Sequence, residues 1–228
     1  MLQSWESLLG NLAIIAIVVS ICSQIKDPAD SDGRRLRTLF LSVLAAGGTI
    51  AVMASQFEIR PGILADLRVT VIVISGFFGG PFVGIAAAIA GAGYRLWLGG
   101  LGAPPAIFSI SVALAVGLTG RWMLGGRVAR RVEVLALSMA AAIASMVGFL
   151  LLPGEVRASL FPEIPLAVAS LTVVSTLISG LALSGDQKRR EIERQNTLYA
   201  TIIDTLPDPL NAKDVAGRFL RLIPPRPR

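Results

Sequence analysis

Residues 67–97 read LRVTVIVISGFFGGPFVGIAAAIAGAGYRLW, and the only charges in this stretch are Arg68 and Arg95, near its two ends. A single straight helix of this length would reach about 46 Å, well beyond the roughly 30 Å hydrocarbon core of a bilayer. Its centre carries Gly79, Gly80 and Pro81, a cluster that breaks helices. Two readings follow. The stretch is one tilted, kinked span, giving six helices in all, or it is two shorter helices folded back on each other at GGP, giving seven.

The rest of the chain sets this choice in a membrane. Hydrophobic residues make up 54% of the 228 positions and charged residues only 16%, with a mean hydropathy of +0.70. Soluble domains carry about a quarter charged residues, so the shortage of charge identifies an integral membrane protein. Other apolar blocks occupy roughly 5–23, 38–55, 105–124, 132–152 and 164–184. The first lacks a basic region before it and a small-residue cleavage site after it, so it reads as a retained helix. The net charge of +6 comes from short basic loops, as in cytoplasmic loops of membrane proteins, and not from a nucleic-acid surface. These loops hold Lys26, Arg34, Arg35 and Arg37, then Arg121, Arg127, Arg130 and Arg131, and after the last block Lys188, Arg189, Arg190 and Arg194. All three fall on one side only if 67–97 enters and leaves the membrane on the same side. The fold expected is an all-α bundle of about seven transmembrane helices, with the N-terminus outside and the C-terminus in the cytoplasm. A shallow re-entrant pair at 67–97 satisfies the same parity.

There is no histidine and a single cysteine, Cys22. An intramolecular disulfide, a Ser-His or Cys-His catalytic pair, a histidine-ligated metal and a phospho-accepting histidine are thereby excluded within these residues. Neither cofactor nor metal is expected. In the second half of the hairpin Gly80, Gly84, Ala88 and Ala92 recur every four residues, a face suited to close helix packing in lipid or, alternatively, to a ligand against bare backbone.

Ionisable residues at membrane depth are costly and point to function. In the seven-helix reading Arg68 begins one half of the hairpin and Arg95 ends the other, so both stand near the outer surface beside Asp66. Guanidinium groups present a planar donor fork matched to carboxylate or phosphate oxygens. Two arginines converging in a partly dry place form an anion receptor, with Asp66 as an internal partner. The alternative is that the arginines snorkel to headgroups next to the interfacial Tyr94 and Trp97. Ser109 and Ser111 on the following span are further hydroxyl donors, although serines within helices commonly bond their own backbone.

After Leu183 the sequence becomes charged. Residues 185–197 read as a juxtamembrane helical linker, and Ile192, Leu198 and Ile202 near one face suit pairing in a homodimer. Residues 198–228 carry turn signals at Pro207, Pro209 and Gly217 but are too few for a core of their own.

The motifs PGILADLR and ISGFFGGPFVGIAAAIAGAGYRLWLGG resemble the LytS-type five-transmembrane receptor family over roughly residues 5–184. The positions that carry the resemblance are Asp66, Arg68, Gly79, Gly80, Gly84, Arg95, Leu96, Gly99 and Gly100. The resemblance implies the sensor domain (1–184) of a bacterial histidine kinase or diguanylate cyclase, in the inner membrane. Some members of the family are linked to cell-wall and autolysis control, and some answer to small carboxylates such as pyruvate. It favours Arg68 and Arg95 as ligand residues. The segment LYATIIDTLPDPLNAKDVAGRF is similar to the opening of a PAS domain and departs from it at LRLIPPRPR. No catalytic domain is expected in these residues. A small-solute transporter subunit and a truncated, non-signalling remnant are the competing readings.

Overall fold

A computed structural model describes residues 2–25, 30–60, 63–100, 102–125, 127–151 and 163–205. Within them lie seven helical segments: α1 (Leu2–Gln24), α2 (Ser31–Ala54), α3 (Arg68–Ile74), α4 (Pro81–Leu98), α5 (Ala103–Leu124), α6 (Arg131–Leu150) and α7 (Glu163–Thr205). The protein is an α-helical membrane protein. Five of these helices are long and apolar enough to cross a bilayer: α2, α4, α5, α6 and the 166–199 stretch of α7. Apolar side chains such as Val43, Phe82, Ile89, Ile143 and Ile178 face outward, while Thr49, Thr70, Ser138, Thr172 and Thr176 are buried. This inverted arrangement satisfies polar groups internally and offers hydrocarbon to lipid.

The 67–97 stretch is two helices, as the glycine-proline cluster requires. α3 ends in a widened π-type turn, Ser75–Gly79, and Gly80 follows with φ +91°. Only a residue without Cβ takes that angle at no cost. Pro81 then opens α4, where its missing N–H is harmless. The two halves are unequal. The 12 residues Arg68–Gly79 rise about 18 Å, and the 18 residues of α4 about 27 Å. The first half therefore stops short of a full crossing. It is nevertheless buried on nearly every side, from Val69 to Phe77.

Close glycine contacts hold this short helix. A Cβ on Gly84 of α4 would press on the Gly76 backbone at 2.8 Å, and one on Gly117 of α5 would meet the Val73 carbonyl at 2.6 Å. Gly84 thus does what a small-residue face does in lipid, bringing helix backbones together. Ala88 is part of the core, with Ile72, Val73, Ile110 and Ala141.

Contacts fix which ends of the helices lie together. Arg121 near the end of α5 bonds to Phe77 and Phe78 before the break. The start of α6 meets α7 through Val134 and Gly180. At the opposite end, Gly102 before α5 lies against Arg95, and Gly148 of α6 against Pro105 and Ser109. Asn11 of α1 reaches Ser55 after α2 and Leu67 before α3. Arg34, Arg35 and Arg37, at the start of α2, and the arginines between α5 and α6 consequently share the Gly80 end of the bundle. Lys26 lies outside the described residues.

One element departs from the helical expectation. Phe57–Arg60 (β1) and Ile63–Ala65 (β2) pair antiparallel, with Phe57 opposite Ala65 and Glu58 opposite Leu64. Short runs of β-forming residues on either side of Pro61-Gly62 give a hairpin. It links α2 to α3 at the Arg95 end.

Residues 1–185 form one compact unit and 186–228 a second. In the second, the described part is helical, with i,i+4 pairs Arg190–Asp186 at 2.8 Å and Arg189–Glu193 at 3.1 Å. Ile192 and Leu198 are exposed on it. The PAS-like stretch after Thr205 lies outside the described residues.

Candidate functional site

Asp66 lies two residues before Arg68, the first residue of α3, and its side chain is only 4% exposed. One oxygen, Oδ1, accepts from the Arg68 backbone N–H at 3.0 Å and from Arg68 Nε at 2.9 Å. Asp66 thus holds the first turn of the short helix and the side chain of its first residue together. A carboxylate at a helix N-terminus is also favoured by the helix dipole. Leu67, between the two charged residues, is fully buried, and its N–H donates to Asn11 Oδ1 at 3.4 Å. Asn11 therefore positions this corner from a different helix.

Arg95 reaches the same place from α4. It lies one turn before the helix end, where Gly99 N–H closes on the Arg95 carbonyl at 3.0 Å with φ +69°. Measured from Gly80, Arg68 is 12 residues up one arm and Arg95 is 15 up the other, a difference in height of about 5 Å. The two guanidiniums and the Asp66 carboxylate act on one another electrostatically. Gly102 leaves room for Arg95, since a Cβ there would collide with Nη2.

The hydrogen-bond accounting is uneven. Arg68 Nη1 and Arg95 Nε are buried and have no hydrogen-bond partner among the described residues. A buried, unpaired donor on a charged group costs more than a lost neutral bond. Among the described residues the corner brings together two arginines and one aspartate. The corner thus combines two guanidiniums, each with a buried donor nitrogen, and guanidinium donors are the kind that carboxylate and phosphate oxygens accept from.

Three residues singled out by sequence thus come together: Asp66, Arg68 and Arg95. Ser109 is buried on α5 and donates to the Ala106 carbonyl at 2.9 Å, while Ser111 is exposed and donates to Ile107 at 3.0 Å. Gly79, Gly80 and Pro81 form the break that makes the arms antiparallel. Tyr94 and Trp97 stack loosely, with ring centres 5.7 Å apart, and Trp97 is largely exposed, as an interfacial residue is.

Sequence reasoning missed two contributors. Asn11 carried the signal of a lone amide in an apolar block. Arg121, counted only as loop charge, donates from Nη1 to the Phe77 carbonyl at 3.1 Å and the Phe78 carbonyl at 3.2 Å. It caps the broken helix where the π-type turn leaves carbonyls unpaired. Among the described residues no cluster of acidic or cysteine side chains suits a metal ion.

Neither curated proteins nor solved structures offer a match to this chain. A family model does match, over residues 19–184, described as 5TMR of 5TMR-LYT. The match takes in α2 to α6, α7 as far as Ser184 and every residue of the Asp66–Arg68–Arg95 corner, while most of α1, including Asn11, precedes it. By that match this chain belongs to the LytS-type five-transmembrane receptor family.

Proposed function

We propose that this domain is the input module of a bacterial signalling receptor and that it binds a small carboxylate between Arg68 and Arg95. The observation that carries the proposal is the pair of buried guanidinium nitrogens, Arg68 Nη1 and Arg95 Nε, without a hydrogen-bond partner among the described residues and on two arginines that act on one another electrostatically. The family supports the sensor role. The excess of one guanidinium over carboxylate among the described residues suits a monocarboxylate, and pyruvate is the first compound to test. Ser109 is a supporting group whose hydroxyl would turn from Ala106 to the ligand.

The basic loops support a cytoplasmic Gly80 end by the positive-inside rule. The Arg95 end, with the site, then faces outward, and so does the N-terminus. The parent protein is a histidine kinase or diguanylate cyclase of the inner membrane. Residues 185–197 are its linker, 198–228 the opening of a PAS domain, and Ile192 and Leu198 the seam of a homodimer.

The experiment is a titration of the purified protein in nanodiscs with pyruvate, and with lactate and acetate beside it. A charge-assisted hydrogen bond contributes about 1.5–3 kcal/mol, so Arg68→Ala and Arg95→Ala should each weaken binding roughly tenfold or more. Arg95→Lys should also bind poorly, because a point charge lacks the fork. Ser109→Ala should have a smaller effect. A broken helix beside an anion site would also suit a transporter subunit. Pyruvate uptake into proteoliposomes would favour that reading over a sensor.

A further inference from the structure

A buried hydroxyl cluster joins the short helix to α7. Thr70 stands in the first turn of α3, two residues after Arg68, and is fully buried. Its Oγ1 lies 2.7 Å from Ser175 Oγ and 3.1 Å from Thr176 Oγ1 on α7. Ser175 also donates to the Thr172 carbonyl at 3.3 Å. Each hydroxyl has one proton to give, so these three contacts admit a single arrangement. Ser175 donates to the Thr172 carbonyl, Thr70 donates to Ser175, and Thr176 donates to Thr70. The link is therefore directional and complete. Moving Thr70 breaks two bonds at once in a place water does not reach.

The two helices it joins differ in kind. α3 stops short of a full crossing and carries Arg68 at its tip. α7 runs unbroken from Glu163 to Thr205. Leu67, Val71 and Ile74 of the α3 region share an apolar cluster with Leu171 and Leu183 of α7, but apolar contacts tolerate sliding, whereas the hydroxyl trio fixes register.

We propose that Thr70 relays the state of the Asp66–Arg68–Arg95 corner to α7 through Ser175 and Thr176. The relay rests on the reading of that corner as the input site. An anion that takes Arg68 away from Asp66 changes what holds the first turn of α3, and Thr70 lies in that turn. α7 answers because its hydroxyls are bound to Thr70 rather than to its own backbone alone.

The test places spin labels at Val43→Cys on α2 and Ile178→Cys on α7, both exposed positions, in Cys22→Ser protein in nanodiscs. The distance between them is read with and without pyruvate, and again after Arg68→Ala without ligand. Thr70→Val keeps the shape of the side chain and removes the hydroxyl. The expected result is a distance change on pyruvate binding and on Arg68→Ala, both lost in Thr70→Val protein and restored in Thr70→Ser. Pyruvate affinity should stay within about threefold in Thr70→Val. If that variant does not fold, Ser175→Ala with Thr176→Val removes the same bonds from the other side. An undiminished response in folded protein lacking these hydroxyls overturns the relay, and so does an unmoved α7 after Arg68→Ala. If the parent binds no carboxylate but Arg68→Ala still moves α7 through Thr70, the relay stands and the ligand assignment fails.

Discussion

Two pairs of arginines, Arg121 and Arg127 at the Gly80 end and Arg68 and Arg95 at the other, use their guanidiniums in opposite ways. At the Gly80 end Arg121 gives both its contacts to backbone carbonyls, and Arg127 donates to Glu133, which in turn accepts from the Arg130 N–H. These are caps and closures of the scaffold. At the Arg95 end Arg68 and Arg95 each keep a buried nitrogen without a partner, and the site holds one carboxylate against two guanidiniums. The same side chain is structural where the backbone already supplies acceptors. It is available for a ligand where the backbone does not. The comparison also separates conformation from chemistry: the glycine break is at one end, and the charge it positions is at the other.

The comparison can be broken most severely at its hinge. Gly117→Val would drive a side chain into the Val73 carbonyl, where even a Cβ stands at 2.6 Å. Overpacking of this kind costs about 1–3 kcal/mol or more. It should lower the unfolding temperature in detergent markedly and abolish ligand binding with it. Next comes Arg121→Ala, which leaves the Phe77 and Phe78 carbonyls uncapped. It should destabilise the fold by about 2 kcal/mol yet leave pyruvate affinity in the folded fraction close to the parent's. A large loss of affinity would show that the two ends are not separable.

Gly102→Val sharpens the contrast from the other side. Its side chain would occupy the space of the Arg95 guanidinium. Affinity should fall several-fold while the unfolding temperature stays near the parent's. The smallest effect is expected from Arg127→Ala, because its pair with Glu133 is exposed and such pairs contribute little. Neither unfolding temperature nor binding should change measurably.

The hairpin was legible because Gly79, Gly80 and Pro81 interrupt a run too long for one span, and the loop arginines set its parity. The convergence of Arg68 and Arg95 followed from that geometry. The inequality of the two arms was not legible, since nothing in the apolar run marks where α3 begins beneath the β1–β2 hairpin. The hairpin itself went unread because its strands are only four and three residues long. Asn11 and Thr70 act on residues 56 and 105 positions away, and periodicity within a helix carries no record of such partners. Thr172, Ser175, Thr176 and Ser179 do recur on one face of α7, a polar stripe inside a membrane span that could have marked a helix contact.

The central claim is that the Arg95 end is a binding site and the Gly80 end is not. The most direct measurement is calorimetric titration of pyruvate into nanodisc-embedded parent, Arg68→Ala, Arg95→Ala and Arg121→Ala proteins, each checked for folding by its unfolding transition. The account expects saturable binding to the parent and to Arg121→Ala, with affinity reduced tenfold or more in Arg68→Ala and Arg95→Ala. Folded Arg68→Ala and Arg95→Ala proteins that bind as tightly as the parent would contradict it, and would leave both arginines as lipid-facing anchors.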